Sequence, residues 1–302
     1  MIYRIGINAD GGDVPERNVI GAILAAAECR DYTVVLYGNE FEILKIQHDN
    51  AGELPELSGC MEIEHCARSL EALPAALNDL AAGQIQALIT ATDSKHLAAV
   101  SHKAELWSRP GRPALMSPLP TKMGQTYFMD AGATSRVSDP EVFLHWAELG
   151  CRFLTSQCGV ENPLFGLYNI AEERGYPELA AIDAVLRRLP GYIGYLEPRQ
   201  FVDGKADLWL MEGFIGNGVL KLLEAYLDFT TMSYLQGIED HAAKQSIVAK
   251  AKQLFSYDAH LISPYLTESG QWVFRVHGGA NAAQIAGAFM AACRYNLDKP
   301  MW

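Results

Sequence analysis

The sequence predicts an α/β protein with a mainly parallel sheet covered by helices. Three observations predict it. Short apolar runs of strand length alternate with longer helix-like stretches along the chain. Two helix-like stretches open with a capping residue and a proline. Glycine-rich turns follow several strand runs, where a crossover to a helix would begin.

The elements follow in order. The first strand is 3–8, YRIGIN. A helix over 15–29 opens with Asp13-Val14-Pro15-Glu16: an acceptor, a proline and a first-turn glutamate. Strand 33–37 (TVVLY) precedes a helix over 70–82, and strand 86–90 (QALIT) precedes a helix over 95–107. Strand 126–130 (TYFMD) leads to a helix over 140–154, opened in the same way by Asp139-Pro140-Glu141. Strand 165–170 (FGLYNI) leads to a helix over 178–189. That helix ends in Arg187-Arg188, whose charges suit a helix C-terminus, and Pro190-Gly191 stops it. Strand 206–211 (ADLWLM) runs into helices over 217–236 and 240–255, broken near Gly237 with no strand between. Residues 219–255 therefore read as a helical hairpin projecting from the sheet. Its second helix sets Lys244, Lys250 and Lys252 near Ile247, Val248, Leu254 and Phe255, a stripe suited to a partner contact. Strand 272–276 (WVFRV) and a helix over 281–296 complete the pattern. With no internal repeat and no low-complexity linker, a single domain over 1–302 is expected.

Bulk properties narrow the function. The 302 residues are 49% hydrophobic and 20% charged, enough apolar surface for a large core. A net charge of −12 argues against a nucleic-acid partner, whose phosphates it would repel. It also weakens attraction to anionic lipid, though a local basic patch still allows peripheral membrane contact. No apolar run approaches the ~20 residues of a membrane span. The opening MIYRIGINADGG reads as strand and turn, without a signal peptide. A cytoplasmic protein with reduced cysteines (Cys29, Cys60, Cys66, Cys151, Cys158, Cys293) is expected.

Four glycine turns sit at strand ends: Asn8–Asp13, Asp130–Thr134, Glu212–Gly218 and His277–Asn281. In open α/β sheets, ligands lie beyond the carboxyl ends of the strands. Glycine lets main-chain N–H groups approach a ligand, and a helix N-terminus favours an anion by roughly 0.3–1 kcal/mol. The alternative is that glycine only permits tight turns and close helix packing. No turn matches GxxxxGK[ST] or GxGxxG, so ATP and NAD lack their usual support. Asp10, Asp13, Asp93, Asp130 and Glu212 also fall near strand ends, but they read better as caps and turn formers than as cation ligands. No metal and no cofactor are expected.

At this point the sequence resembles a family. Asp10-Gly11-Gly12-Asp13 with Pro15 is similar to the MGGD-x-x-P of phosphate acyltransferases of bacterial phospholipid synthesis (acyl-carrier-protein:phosphate transacylases, PlsX type). Arg112-Pro113-Ala114 and Leu119-Pro120-Thr121 resemble that family's RPA…LPT, and Asp130-Ala131-Gly132-Ala133 its D-x-G-A-N. Gly166–Ile170 resembles GLLN[IV]. Ala206-Asp207 with Gly213–Asn217 resembles ADVVVTDGFTGN, and Val276-His277-Gly278 resembles A-H-G. Order and spacing agree over nearly the whole chain.

The resemblance implies a three-layer α/β/α fold of the isocitrate/isopropylmalate-dehydrogenase type, usually a homodimer. The implied activity moves a fatty acyl group from acyl-carrier protein, or acyl-CoA, to inorganic phosphate, giving acyl phosphate for lipid synthesis. It places the hairpin at dimer and membrane contacts. The chemistry needs no strong acid or base. Phosphate is already partly dianionic, and the leaving thiol has a pKa of about 8.5. What it needs is phosphate held beside a thioester carbonyl, with donors for the oxyanion.

The candidate catalytic residues are His277, Asn217, Lys95 and Arg174. His277 would donate to an oxyanion, or else cap or pack. Asn217 would orient phosphate or the acyl carbonyl, or else cap a helix. Lys95 and Arg174 would neutralise phosphate, or else face solvent. Gly11, Gly12, Asp13, Asp93, Ser94, Asp130, Gly132, Thr134, Asn169, Gly213, Gly216, Gly278 and Gly279 would shape the substrate and phosphate crevice. Thr90–His96 departs from the family's S-A-G-N-T-G-A, with Thr92 and Lys95 in place of glycines. Either a side-chain ammonium replaces main-chain donors there, or the crevice is filled. The second alternative leads to a non-catalytic paralogue that binds acyl thioester or carrier protein. A different acyl acceptor is a further alternative.

Overall fold

Strand alternation builds the layers. On the strand Tyr32–Gly38, Val34 and Leu36 face one apolar cluster, whereas Val35 and Tyr37 face another. The strand Ala87–Thr90 divides likewise, Ala87 and Ile89 to one side and Leu88 to the other. A sheet buried on both faces must be a middle layer, and its strands then read as continuous apolar runs. Each large side chain fully buried this way contributes about 1.5–3 kcal/mol.

The computed structural model describes residues 3–29, 31–55, 59–103, 112–170, 177–254, 263–266 and 272–295. Its elements are β1 (Tyr3–Asn8), α1 (Glu16–Glu28), β2 (Tyr32–Gly38), α2 (Glu40–Asp49), β3 (Met61–His65), α3 (Ser69–Ala81), β4 (Ala87–Thr90) and α4 (Ser94–Lys103). Then come β5 (Ala114–Leu115), β6 (Ser117–Thr121), β7 (Gly124–Met129), α5 (Pro140–Gln157), β8 (Phe165–Tyr168), α6 (Glu178–Leu186) and β9 (Tyr192–Leu196). A 3-10 turn at Pro198–Asp203 precedes β10 (Leu208–Leu210), α7 (Gly213–Leu235), α8 (His241–Leu254), β11 (Ser263–Leu266), β12 (Trp272–Arg275) and α9 (Ala282–Ala292).

The expected single sheet is two. One runs β3-β2-β1-β4-β12-β11-β5 and is parallel except where β11 meets β12 and β5. The other runs β6-β7-β10-β8-β9 and is parallel except at β6. Between β5 and β6 lies only the buried Met116, so the chain steps from one sheet to the other there. Helices α1, α5, α6 and α9 share one apolar cluster with both sheets. Helix α3 packs on the opposite face of the first sheet, and Phe201, Ile215, Val219 and Leu223 cover the opposite face of the second. The result is the expected three-layer α/β arrangement.

All the expected strands and helices within the described residues are present. Residues 104–107, 255 and 296, at the far ends of three expected helices, lie outside them. Helix α7 begins at Gly213, four residues before the expected start at 217. The unexpected elements lie mostly at sheet margins. β3 carries Glu62 and Glu64 on a sheet edge, where only one side needs to be apolar. β6 contains Pro118 and Pro120, tolerated because it too is an edge strand. Helix α2 buries only Ile43, but Asn39 caps it by accepting from the amides of Phe41 (3.0 Å) and Glu42 (3.3 Å). α7 and α8 turn at Gly237 to form the expected hairpin, and Leu222, Tyr226, Phe229 and Met232 lie exposed along α7. Among the described residues, no helix is long and apolar enough to cross a membrane.

Candidate functional site

Strands β1, β4 and β12 are neighbours, so the loops after them meet at one end of the first sheet. The amide of Asp13 donates to the Gly278 carbonyl at 2.8 Å, tying the first loop to the third. Gly12 sits at a φ of 79°, and a Cβ there would come within 2.7 Å of the Gly278 oxygen. Only glycine allows that turn and that approach together. The second loop is tied to its neighbours by Asn8 Nδ2, which donates to Thr92 Oγ1 at 3.1 Å, and by Arg275 Nε, which donates to the Thr92 carbonyl at 3.2 Å.

One of the expected anion cradles, the Asp130 turn, and also the turn after β4 hold a carboxylate of the chain itself. Asp93 Oδ1 accepts from the amides of Lys95 (3.1 Å) and His96 (3.0 Å), capping α4. The wholly buried Asp130 accepts from the amides of Leu115 (3.0 Å), Gly132 (3.0 Å), Ala133 (2.8 Å) and Thr134 (2.7 Å), and from the Thr134 hydroxyl (2.7 Å). Burial pushes the Asp130 pKa up, opposed by these donations from Leu115, Thr134 and Ala133. These main-chain amides at the two turns are therefore already occupied. Asp130 and Thr134 serve the turn and line neither cavity described below.

The second sheet meets this end through α7. A Cβ on Gly216 would overlap the Asp130 carbonyl oxygen, and one on Gly213 would overlap the Thr134 carbonyl. The Phe214 amide donates to Ser135 O at 2.9 Å. These glycines let a helix start directly against a turn, a packing role in place of the expected ligand contact. Because α7 starts at Gly213, Asn217 lies inside the helix and caps nothing. It is exposed and packs against Gly132.

Two adjoining cavities result. One of about 430 Å³ is lined by Asn8, Asp10, Gly11, Gly12, Asp13, Thr92, Asp93, His96, Arg275, His277 and Gly278, with Ser69, Leu70, Leu73 and Ala91. The other, about 490 Å³, is lined by Asp93, Ser94, Lys95, Ser117, Gly132, Asn217, Lys221, Arg275, His277, Gly279 and Gln284, against apolar Leu115, Pro118, Leu119, Ala131, Leu220 and Ala280. Asp93, Arg275 and His277 belong to both. Thr92 and Lys95 thus line the cavities and do not fill them.

Charge separates the two. The first presents three carboxylates (Asp10, Asp13, Asp93) and one arginine. The second presents Lys95, Lys221 and Arg275 against Asp93 alone. A unit charge pair at 4 Å near a protein surface is worth roughly 4 kcal/mol, so an anion favours the second, basic cavity. In the acidic cavity, burial and then the nearby Glu42 raise the Asp10 pKa above the usual carboxylate value. His277 Nδ1 accepts from the Gly279 amide at 3.0 Å. In the neutral ring the proton then sits on Nε2, making that edge a donor.

Asn169 is buried at the end of β8, where its side chain accepts from the Ile170 amide at 2.8 Å, and it lines neither cavity. Arg174 lies outside the described residues. Arg275, Lys221 and His96 were not among the residues expected at the site. Signals point to the first two: Arg275 ends a strand two residues before His277, and Lys221 is one helical turn beyond Asn217. Among the described residues, no three His, Cys, Asp or Glu side chains cluster closely enough to hold a metal ion.

The family model described as fatty acid synthesis protein matches residues 3–295. The chain belongs to this family. A phosphate acyltransferase of Syntrophobacter fumaroxidans is 29% identical, over 96% of this chain and 87% of its own length. One of Wolinella succinogenes is 26% identical, over 96% and 93%. The resemblance to phosphate acyltransferases therefore extends over nearly the whole chain. Among solved structures, a branched-chain phosphotransacylase from Enterococcus faecalis shares the fold, with a TM-score of 0.61 at 12% identity over 97% of this chain and 98% of that one. A 4-hydroxythreonine-4-phosphate dehydrogenase from Burkholderia phymatum shares it at 0.57 and 14%, over 97% and 98%.

Proposed function

We propose that this member of the fatty acid synthesis protein family transfers a fatty acyl group from acyl-carrier protein, or acyl-CoA, to inorganic phosphate for lipid synthesis. The observation that carries the reading is the basic cavity: three cations beside apolar walls, bordered by His277. Phosphate occupies its cationic end. A phosphate oxygen attacks the thioester carbonyl carbon and forms the C–O bond. The carbonyl oxygen becomes an oxyanion beside the His277 Nε2–H and Asn217. The C–S bond then breaks with its electron pair on sulfur, and the thiolate takes up a proton. Holding the two reactants together and aiming donors at the oxyanion together supply the acceleration. The exposed apolar face of α7, at Leu222, Tyr226, Phe229 and Met232, supports a homodimer or peripheral membrane contact through the hairpin.

The test incubates the full chain with acyl-carrier-protein or acyl-CoA thioesters and phosphate, and traps acyl phosphate as its hydroxamate. Phosphate-dependent product is expected. His277→Gln is expected to lower kcat about 100-fold, the loss of one oxyanion donor. Absence of product at every chain length would remove the reading.

A second reading, a non-catalytic paralogue that binds acyl thioester, is favoured by the carboxylates of Asp93 and Asp130 occupying main-chain donors. It requires thioester binding with no turnover in the same assay.

A further inference from the structure

We propose that Arg275, with Lys221 beside it in the basic cavity, positions the anionic acceptor. This rests on the reading that phosphate is the acceptor. The proposal begins from the occupied main-chain donors. The amides of Lys95 and His96 hold Asp93, and those of Gly132, Ala133 and Thr134 hold Asp130. An anion entering here must be held largely by side chains. Three cationic side chains line the basic cavity, from three different elements: Lys95 on α4, Lys221 on α7 and Arg275 at the end of β12.

Arg275 is placed differently from the two lysines. It is partly buried, it lines both cavities, and its Nε is anchored on the Thr92 carbonyl at 3.2 Å. That bond fixes the plane of the guanidinium on the wall between the cavities, beside His277. A fixed planar fork matches two phosphate oxygens and defines which oxygen points onward, whereas a lysine acts as a mobile point charge. Arg275 therefore sets orientation, and Lys221 adds charge from the α7 side. The acidic cavity beyond the same wall repels a dianion, so phosphate is held on the side where the apolar walls lie. Thr92 acquires a purpose in this arrangement, since its carbonyl anchors the arginine and its hydroxyl is fixed by Asn8.

Two measurements test this on the full chain: calorimetric binding of inorganic phosphate without any thioester, and steady-state acyl phosphate formation. For Arg275→Gln, phosphate affinity is expected to weaken and phosphate KM to rise about 10-fold or more, the loss of a charge-assisted bond. Thioester KM should stay within about twofold, a change too small to mean a lost contact. Arg275→Lys should restore charge but not orientation, recovering phosphate binding better than kcat. Lys221→Gln should raise phosphate KM with kcat nearly kept. An unchanged phosphate KM in an active, folded Arg275→Gln protein would overturn the proposal and leave the acyltransferase reading intact. Phosphate binding that weakens in Arg275→Gln, in a protein that forms no acyl phosphate, would support the anion site and overturn the reaction. A wild-type chain that neither binds phosphate nor turns over would overturn both.

Discussion

Asp130→Ala is expected to lower stability by about 4 kcal/mol or more, because each buried donor left without a partner costs about 1–3 kcal/mol. Five donors converge on this carboxylate, from Leu115, Gly132, Ala133 and Thr134 (amide and hydroxyl). No solvent reaches the side chain to replace it. In a chain of 302 residues this loss corresponds to a fall in Tm of roughly 6 °C or more. Asp130→Asn keeps one acceptor oxygen and turns an NH2 group toward N–H donors, so it should be destabilised as well, though less. Thermal and denaturant unfolding decide the matter. A loss below about 1 kcal/mol in Asp130→Ala would mean that the turn holds its shape without the carboxylate.

Gly216→Ala is expected to cost about 3 kcal/mol, the range for overfilling a tightly packed contact. In an open helix the same change would gain about 1 kcal/mol. The sign reverses because the added methyl would overlap the carbonyl oxygen of Asp130, which is backbone and has no rotamer to yield. The start of α7 must then retreat and take Asn217 and Lys221 with it, so activity should fall with stability. Gly218→Ala is the control. A Cβ there meets nothing within 4 Å, and the position is exposed on the same helix. It should stabilise the protein by about 0.5–1 kcal/mol. Equal stability of the two variants would remove the close helix-to-turn contact as an explanation for these glycines.

Periodicity made the interior of the fold legible. Ile5, Ile7, Val34, Leu36 and Ile89 sit in central strands, where burial on both faces demands apolar side chains and leaves an unbroken run. The margins were harder. β3 must also meet solvent, so Glu62 and Glu64 obscure its strand character, and Pro118 and Pro120 do the same for β6. The split into two sheets has no local signal, because it depends on where Met116 lets the chain change partners. At the site, strand-end position brought Lys95, Gly132, Asn217 and His277 to one cavity lining. Sequence gives no measure of how donors are shared. Asp93 and Asp130 look alike as acidic turn residues whether they face a ligand or fold back onto their own amides. Only the spatial arrangement separates the two roles. Arg275 was hidden for a related reason: it ends a strand that reads as core, and its anchor on Thr92 is 183 residues away.

The folded-back carboxylates have a thermodynamic consequence for substrate entry. A turn shaped by a covalently tethered anion does not wait for a diffusing one to give it form. On the proposed reading, phosphate docks onto a ready template, and little of its binding free energy is diverted to ordering loops. Adding phosphate should accordingly raise the melting temperature only by the mass action of its own binding, without extra cooperativity from a segment that folds around it.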